Sequence, residues 1–149
     1  VIDTSASCSG EAVKGFLSQT FGILNLRNSF FNRVKIHVIQ CDNKVRRDTV
    51  VENSEQLEKL FNDMELVGFG GTDFRPAFEY VEEIKGSLKN LKGLIYFTDG
   101  EGIFPEKPPS YDVAFVFLKE HYYDAEVPNW AVKLILDNEE LTKNEYNRS

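Results

Sequence analysis

The sequence predicts a three-layer α/β/α, Rossmann-like domain with a mostly parallel central sheet and one antiparallel edge hairpin strand. Three observations carry this expectation. Two short continuous apolar runs, Leu94 to Phe97 and Val113 to Leu118, have the pattern of central parallel strands covered on both faces. Such strand segments alternate along the chain with segments whose apolar residues recur at helical spacing, the order expected of a sheet joined by crossover helices. The 149 residues, 42% hydrophobic and 28% charged, have ordinary globular composition and suffice to bury a core without a disulfide or metal staple. Residues 1–149 therefore read as one domain.

Val1 to Asp3 reads as the end of a buried strand, and Thr4 to Gly10 as a small polar loop. A helix is predicted over Glu11 to Phe31, where Val13, Leu17, Phe21 and Leu24 form one apolar stripe. Val34 to Cys41 is a β-branched strand, Asp42-Asn43 a turn, and Val45 to Val51 a second strand, so the two form a hairpin. Ser54 is predicted to cap a short helix with Leu57, Leu60, Phe61 and Met64 on one face. The glycine-rich stretch Gly68-Phe69-Gly70-Gly71-Thr72-Asp73 opens a helix from Phe74 to about Lys85, with Phe74, Phe78 and Val81 toward the core and Pro76 in the first turn. A proline-rich loop, Phe104 to Pro109, separates the two apolar runs. Val132 to Leu136 is the last strand, followed by an acidic polar tail.

Lys plus Arg number 17 and Asp plus Glu 24, a net charge of −7, which disfavours nucleic acid as a partner. No run approaches the about 20 apolar residues of a membrane helix, and no signal-peptide pattern is present. A cytoplasmic protein is expected, and the start at Val1 reads as a cut inside a longer chain. Cys8 and Cys41 fit no metal motif. Free thiols suit a reducing compartment, although the sequence leaves a pairing of the two open.

In an open α/β sheet, ligands bind outside the carboxyl ends of the strands. Polar groups fall there in Asp3-Thr4-Ser5-Ala6-Ser7, in Thr72-Asp73, and in Thr98-Asp99-Gly100-Glu101. Oxygen ligands with few carboxylates suit a hard ion, Mg²⁺ first, with Mn²⁺ or Ca²⁺ as substitutes. Asp3 and Asp99 balance a divalent charge. Hydroxyls of Ser5, Ser7 and Thr72 add ligation without further charge, leaving the ion electrophilic toward an outside anion.

These three stretches, in this order and spacing, resemble the metal-ion-dependent adhesion site of von Willebrand factor A domains. The resemblance spans nearly the whole chain and implies that Ser5, Ser7 and Thr72 are direct ligands, with Asp3 and Asp99 acting directly or through water. Ala6 departs from the glycine found in many members. Ile39 to Asp42, Gly70 to Pro76 and Ile95 to Gly100 are similar to the von Willebrand A-like domain at the C-terminus of bacterial predicted metallopeptidases. That likeness implies a peptidase-like domain before this one and an AAA+ ATPase as partner. It implies a protein-binding role for this domain, with an acidic side chain of a partner filling an open position on the metal, rather than catalysis by the domain itself.

Other readings compete. Asp3 and Ser5 equally suit the satisfaction of backbone groups in a βα turn, and Thr72 or Asp73 suits a helix cap. Arg75 either steers an acidic ligand or pairs with a neighbouring carboxylate. Asp42 reads as a turn residue, Cys41 as packing at a strand end, and Glu101 as a rim residue. Five basic residues against one acidic between Arg33 and Arg47 suit a solvated edge hairpin protected from aggregation. Tyr122, Tyr123 and Trp130 serve either loop packing or an interaction surface. His37 and His121 lie outside any HExxH pattern and are not expected to bind metal. A Mg²⁺-dependent phosphoryl-transfer or hydrolytic enzyme using Asp3 and Asp99 is the rival function, but Ser5 stands where HAD-like phosphatases need a second Asp. No GxSxG elbow or Walker lysine is present. A regulatory domain of a metallopeptidase and a metal-free structural domain complete the alternatives.

Overall fold

The computed structural model describes residues 1–5, 15, 35–63, 65, 67–88, 90–118, 122 and 126–136. Among the described residues there are six strands: β1 (Ile2–Asp3), β2 (Ile36–Cys41), β3 (Val45–Val51), β4 (Gly93–Phe97), β5 (Asp112–Leu118) and β6 (Val132–Leu136). Two helices among the described residues accompany them, α1 (Ser54–Asp63) and α2 (Arg75–Ile84). The strands form one sheet in the order β3-β2-β1-β4-β5-β6. Neighbouring strands run parallel except β2 and β3, the expected antiparallel edge hairpin. The predicted helix over Glu11 to Phe31 and the acidic tail lie outside the described residues, as do Ser7, Cys8, Met64, His121 and Tyr123.

Alternation along the strands builds the core. Ile39 and Cys41 of β2, Leu94 and Tyr96 of β4, and Val113, Phe115 and Phe117 of β5 turn to one face, where Phe74, Ala77, Phe78 and Val81 cover them. Phe74 meets Tyr96 edge-on at 5.1 Å between ring centroids, and Tyr96 stacks on Phe115 at 5.6 Å. Trp130 meets Phe78 edge-on at 6.2 Å, and Tyr122 stacks on Phe117 at 5.7 Å, so both of these loop aromatics serve packing. Coverage of the second face is uneven. Val116 is buried, but Ile95 is 53% exposed, so the two-sided cover expected of the Leu94–Phe97 run does not extend to that residue.

The start of α1 corrects the expected cap. Ser54 is already helical, and Asn53 is the capping residue: its Oδ1 accepts the Gln56 N–H at 2.8 Å. The Gln56 side chain reaches back and accepts the Glu52 N–H at 2.8 Å, tying the residue before the cap to the first turn. The helix after the glycine loop begins at Arg75, with Phe74 as its N-terminal flank and Pro76 in the first turn.

The edge hairpin contains a register shift at Gln40/Cys41, so β3 carries an extra residue around Arg46. Three of its basic residues have local partners. Arg46 pairs with Asp42, Lys35 approaches Glu52 at 3.8 Å, and Arg47 donates to the Glu65 carbonyl at 3.5 Å. His37 Nδ1 lies 2.9 Å from Asp48 Oδ2, which also accepts the Tyr80 hydroxyl, tying the hairpin to α2. Among the described residues, no helix is long and apolar enough to cross a membrane.

Because Phe74 is fully buried and touches three other rings, Phe74→Ala is expected to cost about 3–5 kcal/mol. Urea unfolding should show this as a lower midpoint at unchanged slope.

Candidate metal centre

β1 is only two residues long, yet it sits in the middle of the sheet. Ile2 and Asp3 pair with Gln40 and Cys41 on one side, and Ile2 pairs with Phe97 on the other. The ladder carries Asp3 to the carboxyl end of the sheet, where it is 1% exposed. Its Oδ1 accepts the Ser5 N–H at 2.8 Å, and its Oδ2 accepts the Thr98 hydroxyl at 2.5 Å. Thr98 Oγ1 in turn accepts the Gly100 N–H at 3.1 Å. The first and third polar stretches are therefore bonded to each other across 95 residues of sequence.

Burial pushes the Asp3 carboxyl above its ordinary value. Hydrogen bonds from Ser5 and Thr98 pull it back, and the charge of Asp99 pushes it up again. Asp3 and Asp99 thus lie close enough to repel. Asp99 is half-buried, and its Oδ1 accepts the Glu101 N–H at 3.1 Å, leaving Glu101 exposed at the rim.

Thr72 reaches the same region through close packing. Gly102 lies against it so tightly that an added Cβ would fall 2.8 Å from Thr72 Cγ2 and 2.7 Å from the Phe74 ring. The Phe74 N–H donates to the Ile103 carbonyl at 3.0 Å, fixing the glycine loop to the loop after β4. Asp73 turns away from this junction. It accepts the Arg75 N–H at 3.0 Å and pairs with the Arg75 guanidinium through both oxygens, so Arg75 takes the carboxylate-pairing role of its two alternatives. Of the expected ligand set, Asp3, Ser5, Thr72 and Asp99 fall at this end of the sheet, and Ser7 lies outside the described residues.

Among the described residues, no group of three or more His, Cys, Asp or Glu side chains could hold a metal ion. A cation here would rest on two mutually repelling carboxylates and on hydroxyl oxygens. That donor set fits a hard divalent ion: its charge would relieve the Asp3–Asp99 repulsion, and it favours oxygen ligands.

Asp42 does more than the turn expected of it. It is fully buried, and its carboxylate accepts the Lys44 N–H at 3.1 Å, the Gly70 N–H at 3.0 Å and two bonds from Arg46. It clamps the hairpin turn to the glycine loop. The sequence signal was Arg46 four residues after an Asp at a strand end. The reach to Gly70, 28 residues away, had no local trace. Cys41, beside it, is buried and free; burial raises its thiol to about 11, which suits packing rather than reactivity.

Comparison with known proteins places the chain. Residues 1–137 match the family described as VWA-like domain (DUF2201), and the chain belongs to that family. An uncharacterized protein of Thermotoga maritima is 29% identical over 105 residues, which are 70% of this chain and 23% of that protein. The chain thus spans less than a quarter of that relative's length. No solved structure matches.

Burial opposes the Asp42 charge, but the Arg46 guanidinium and the Gly70 and Lys44 N–H groups outweigh it and hold the carboxyl below its ordinary value of 3.8. A depressed folded value means stability that is present above the unfolded value and lost as pH falls through the folded one. Asp42→Ala should cost about 2–3 kcal/mol at neutral pH by leaving buried donors unpaired. The gap between wild type and variant, read from urea midpoints, should narrow as pH drops below about 4.

Proposed function

We propose that this VWA-like domain is a divalent-cation-dependent protein-binding module. The reading rests chiefly on the buried Asp3 carboxylate, held by the Ser5 N–H and the Thr98 hydroxyl beside a second, repelling carboxylate at the carboxyl end of the sheet. Asp3, Ser5, Ser7, Thr72 and Asp99 would hold the cation, with Mg²⁺ the first choice and Mn²⁺ or Ca²⁺ as substitutes. Bound there, the ion supplies an electrophilic position for a carboxylate from outside.

The chain's own residues make that position receptive. Asp3 and Asp99 match a divalent charge without exceeding it. Ser5 and Thr72 contribute oxygen without charge, so an incoming carboxylate meets no added repulsion. Thr98 fixes the orientation of Asp3 by donating to Oδ2. The partner is then an acidic segment of another protein. A preceding peptidase-like domain and an AAA+ ATPase are the company that the resemblance proposes, and the greater length of the Thermotoga relative is compatible with further domains.

Binding is favoured here over turnover. Ser5 occupies the place where phosphoryl transfer of the HAD type would need a second acid, and His37 is engaged with Asp48 on the hairpin rather than near Asp3.

Thermal melts in EDTA, Mg²⁺ and Mn²⁺ test the reading. Mg²⁺ at 100 times its dissociation constant should add about 2.7 kcal/mol, a rise of roughly 5–10 °C at about 2–4 °C per kcal/mol. Asp3→Asn, which keeps the side chain's shape, should melt near wild type in EDTA and show no rise with metal. Equal melting of the wild type in EDTA and in Mg²⁺ would overturn the assignment.

A further inference from the structure

Thr72 differs from Asp3 and Asp99 in that no strand positions it. β1 and β4 deliver the two carboxylates, whereas Thr72 lies in the glycine loop between α1 and α2. Four backbone N–H groups tie that loop down. Phe69 donates to the Thr4 carbonyl at 2.9 Å, Gly70 to the Asp42 carboxylate at 3.0 Å, Asp73 to the Asp42 carbonyl at 3.3 Å and Phe74 to the Ile103 carbonyl at 3.0 Å. Asp42 thus accepts two of the four bonds, and these two bracket Thr72. Gly71 lies between them, with nothing within 4 Å of the place a Cβ would occupy. A glycine in open space is conformationally free. Gly102 backs Thr72 on one side through its methyl group. Along the chain, the anchors at Gly70 and Asp73 decide where Thr72 stands.

Asp42 itself has no capacity left for a cation. Its Oδ1 accepts the Lys44 N–H at 3.1 Å and the Arg46 Nε–H at 2.8 Å. Its Oδ2 accepts the Gly70 N–H at 3.0 Å and an Arg46 Nη2–H at 3.2 Å. Two donors on each oxygen fill the acceptor sites of the carboxylate.

A charge is also more than this hairpin turn needs. A neutral Asn closes such a turn as well. Taking a carboxylate fully out of water is costly, and a buried ion pair is weak evidence for net stability. Charge-assisted bonds give short, directional contacts instead. Their product here is position: the buried carboxylate fixes the loop, and Arg46, whose side chain is 38% exposed, orients the carboxylate from the solvent side.

We propose that Asp42, with Arg46 as its counter-charge, is the positioning residue that sets the place of Thr72 and thereby the preference of the site for Mg²⁺ over Ca²⁺. This rests on the metal-dependent reading above. Mg²⁺ demands near-ideal octahedral geometry with ligands at about 2.0–2.1 Å, whereas Ca²⁺ accepts more variable cages at about 2.3–2.6 Å. A Thr72 held from both sides meets the first demand. A Thr72 on a loosened loop serves only the second.

The test follows Mn²⁺ through the EPR signal of the free ion, with Mg²⁺ and Ca²⁺ as competitors, at a temperature where circular dichroism shows each protein folded. Asp42→Asn and Arg46→Met should each lose about 10–100-fold in Mg²⁺ affinity and markedly less in Ca²⁺ affinity. Arg46→Lys, which keeps the charge but not the planar fork, should fall between wild type and Arg46→Met. Tyr80→Phe is the control. It removes the bond to Asp48 that ties the hairpin to α2, and should lower the melting temperature while leaving both affinities unchanged. Because Arg46 is partly exposed, its variants should fold even if Asp42→Asn does not.

Wild-type Mg²⁺ affinity in folded Arg46→Met overturns the proposal, and so do equal losses for Mg²⁺ and Ca²⁺. An equal loss in Tyr80→Phe also overturns it, because the effect is then one of stability. Failure of the metal reading looks different. Wild type itself then leaves the Mn²⁺ signal unchanged up to about 1 mM, and the positioning role falls with it.

Discussion

A carboxylate with almost no contact with water is the feature around which the carboxyl end of this sheet is arranged. A charge buried to 1% exposure is costly unless hydrogen bonds or a counter-charge meet it. Asp3 has the Ser5 N–H on one oxygen and the Thr98 hydroxyl on the other, and still its proton affinity is raised. Among the described residues, burial outweighs these hydrogen bonds. Asp99 next to it makes matters worse rather than better. Asp3 is the acid whose charge burial disfavours, Asp99 adds to that, and both lie at the end of a central parallel ladder, which is why the proposed cation site is placed there.

Comparison among the acidic residues sharpens the point. Asp42, Asp48 and Asp73 are also wholly or partly buried, and each has a cationic or donor-rich partner: Arg46, the His37 and Tyr80 pair, and Arg75. Asp42 and Asp73 are held below the ordinary carboxylate value, so their folded environment already favours the charge. Among the described residues Asp3 has no such cation, and its shift runs the other way. The direction of the shift thus separates Asp42 and Asp73, whose charge their partners favour, from Asp3, whose charge burial disfavours.

Much of the architecture was legible in the chain because periodicity reports burial. The short β-branched and aromatic runs at Leu94 and Val113, the β2–β3 hairpin and the helical spacing of Phe74, Phe78 and Val81 each carry a pattern of burial that their elements use. Contacts that span the fold left weaker traces. Asn53 rather than Ser54 caps α1 because the cap depends on which residue first leaves helical geometry, and two good capping residues in a row are locally equivalent. Asp42 looked like any turn aspartate because its bond to Gly70 joins loops far apart in sequence. The Asp3–Thr98 bond spans 95 residues, yet the site it belongs to could be located in outline because strand order places all strand ends of one sense at one edge.

The glycines explain why that outline could not become a geometry. A glycine-rich loop at a strand end invites a phosphate-binding reading, in which absent side chains let backbone N–H groups approach a ligand. Here the absent side chains make room for protein atoms. A Cβ on Gly68 would fall 2.8 Å from Thr4 Oγ1, one on Gly70 would fall 2.8 Å from Asp42 Oδ2, and one on Gly102 would press into Thr72 and Phe74. Gly68 also takes a backbone angle of +128°, which L residues rarely adopt. These glycines draw three loops from distant parts of the chain into contact, so that Thr4, Asp42 and Thr72 can stand at one end of the sheet. Glycine content announced that something must come close. Only the fold says that what comes close is the protein itself, and that the loop so compressed presents Phe69 to the outside.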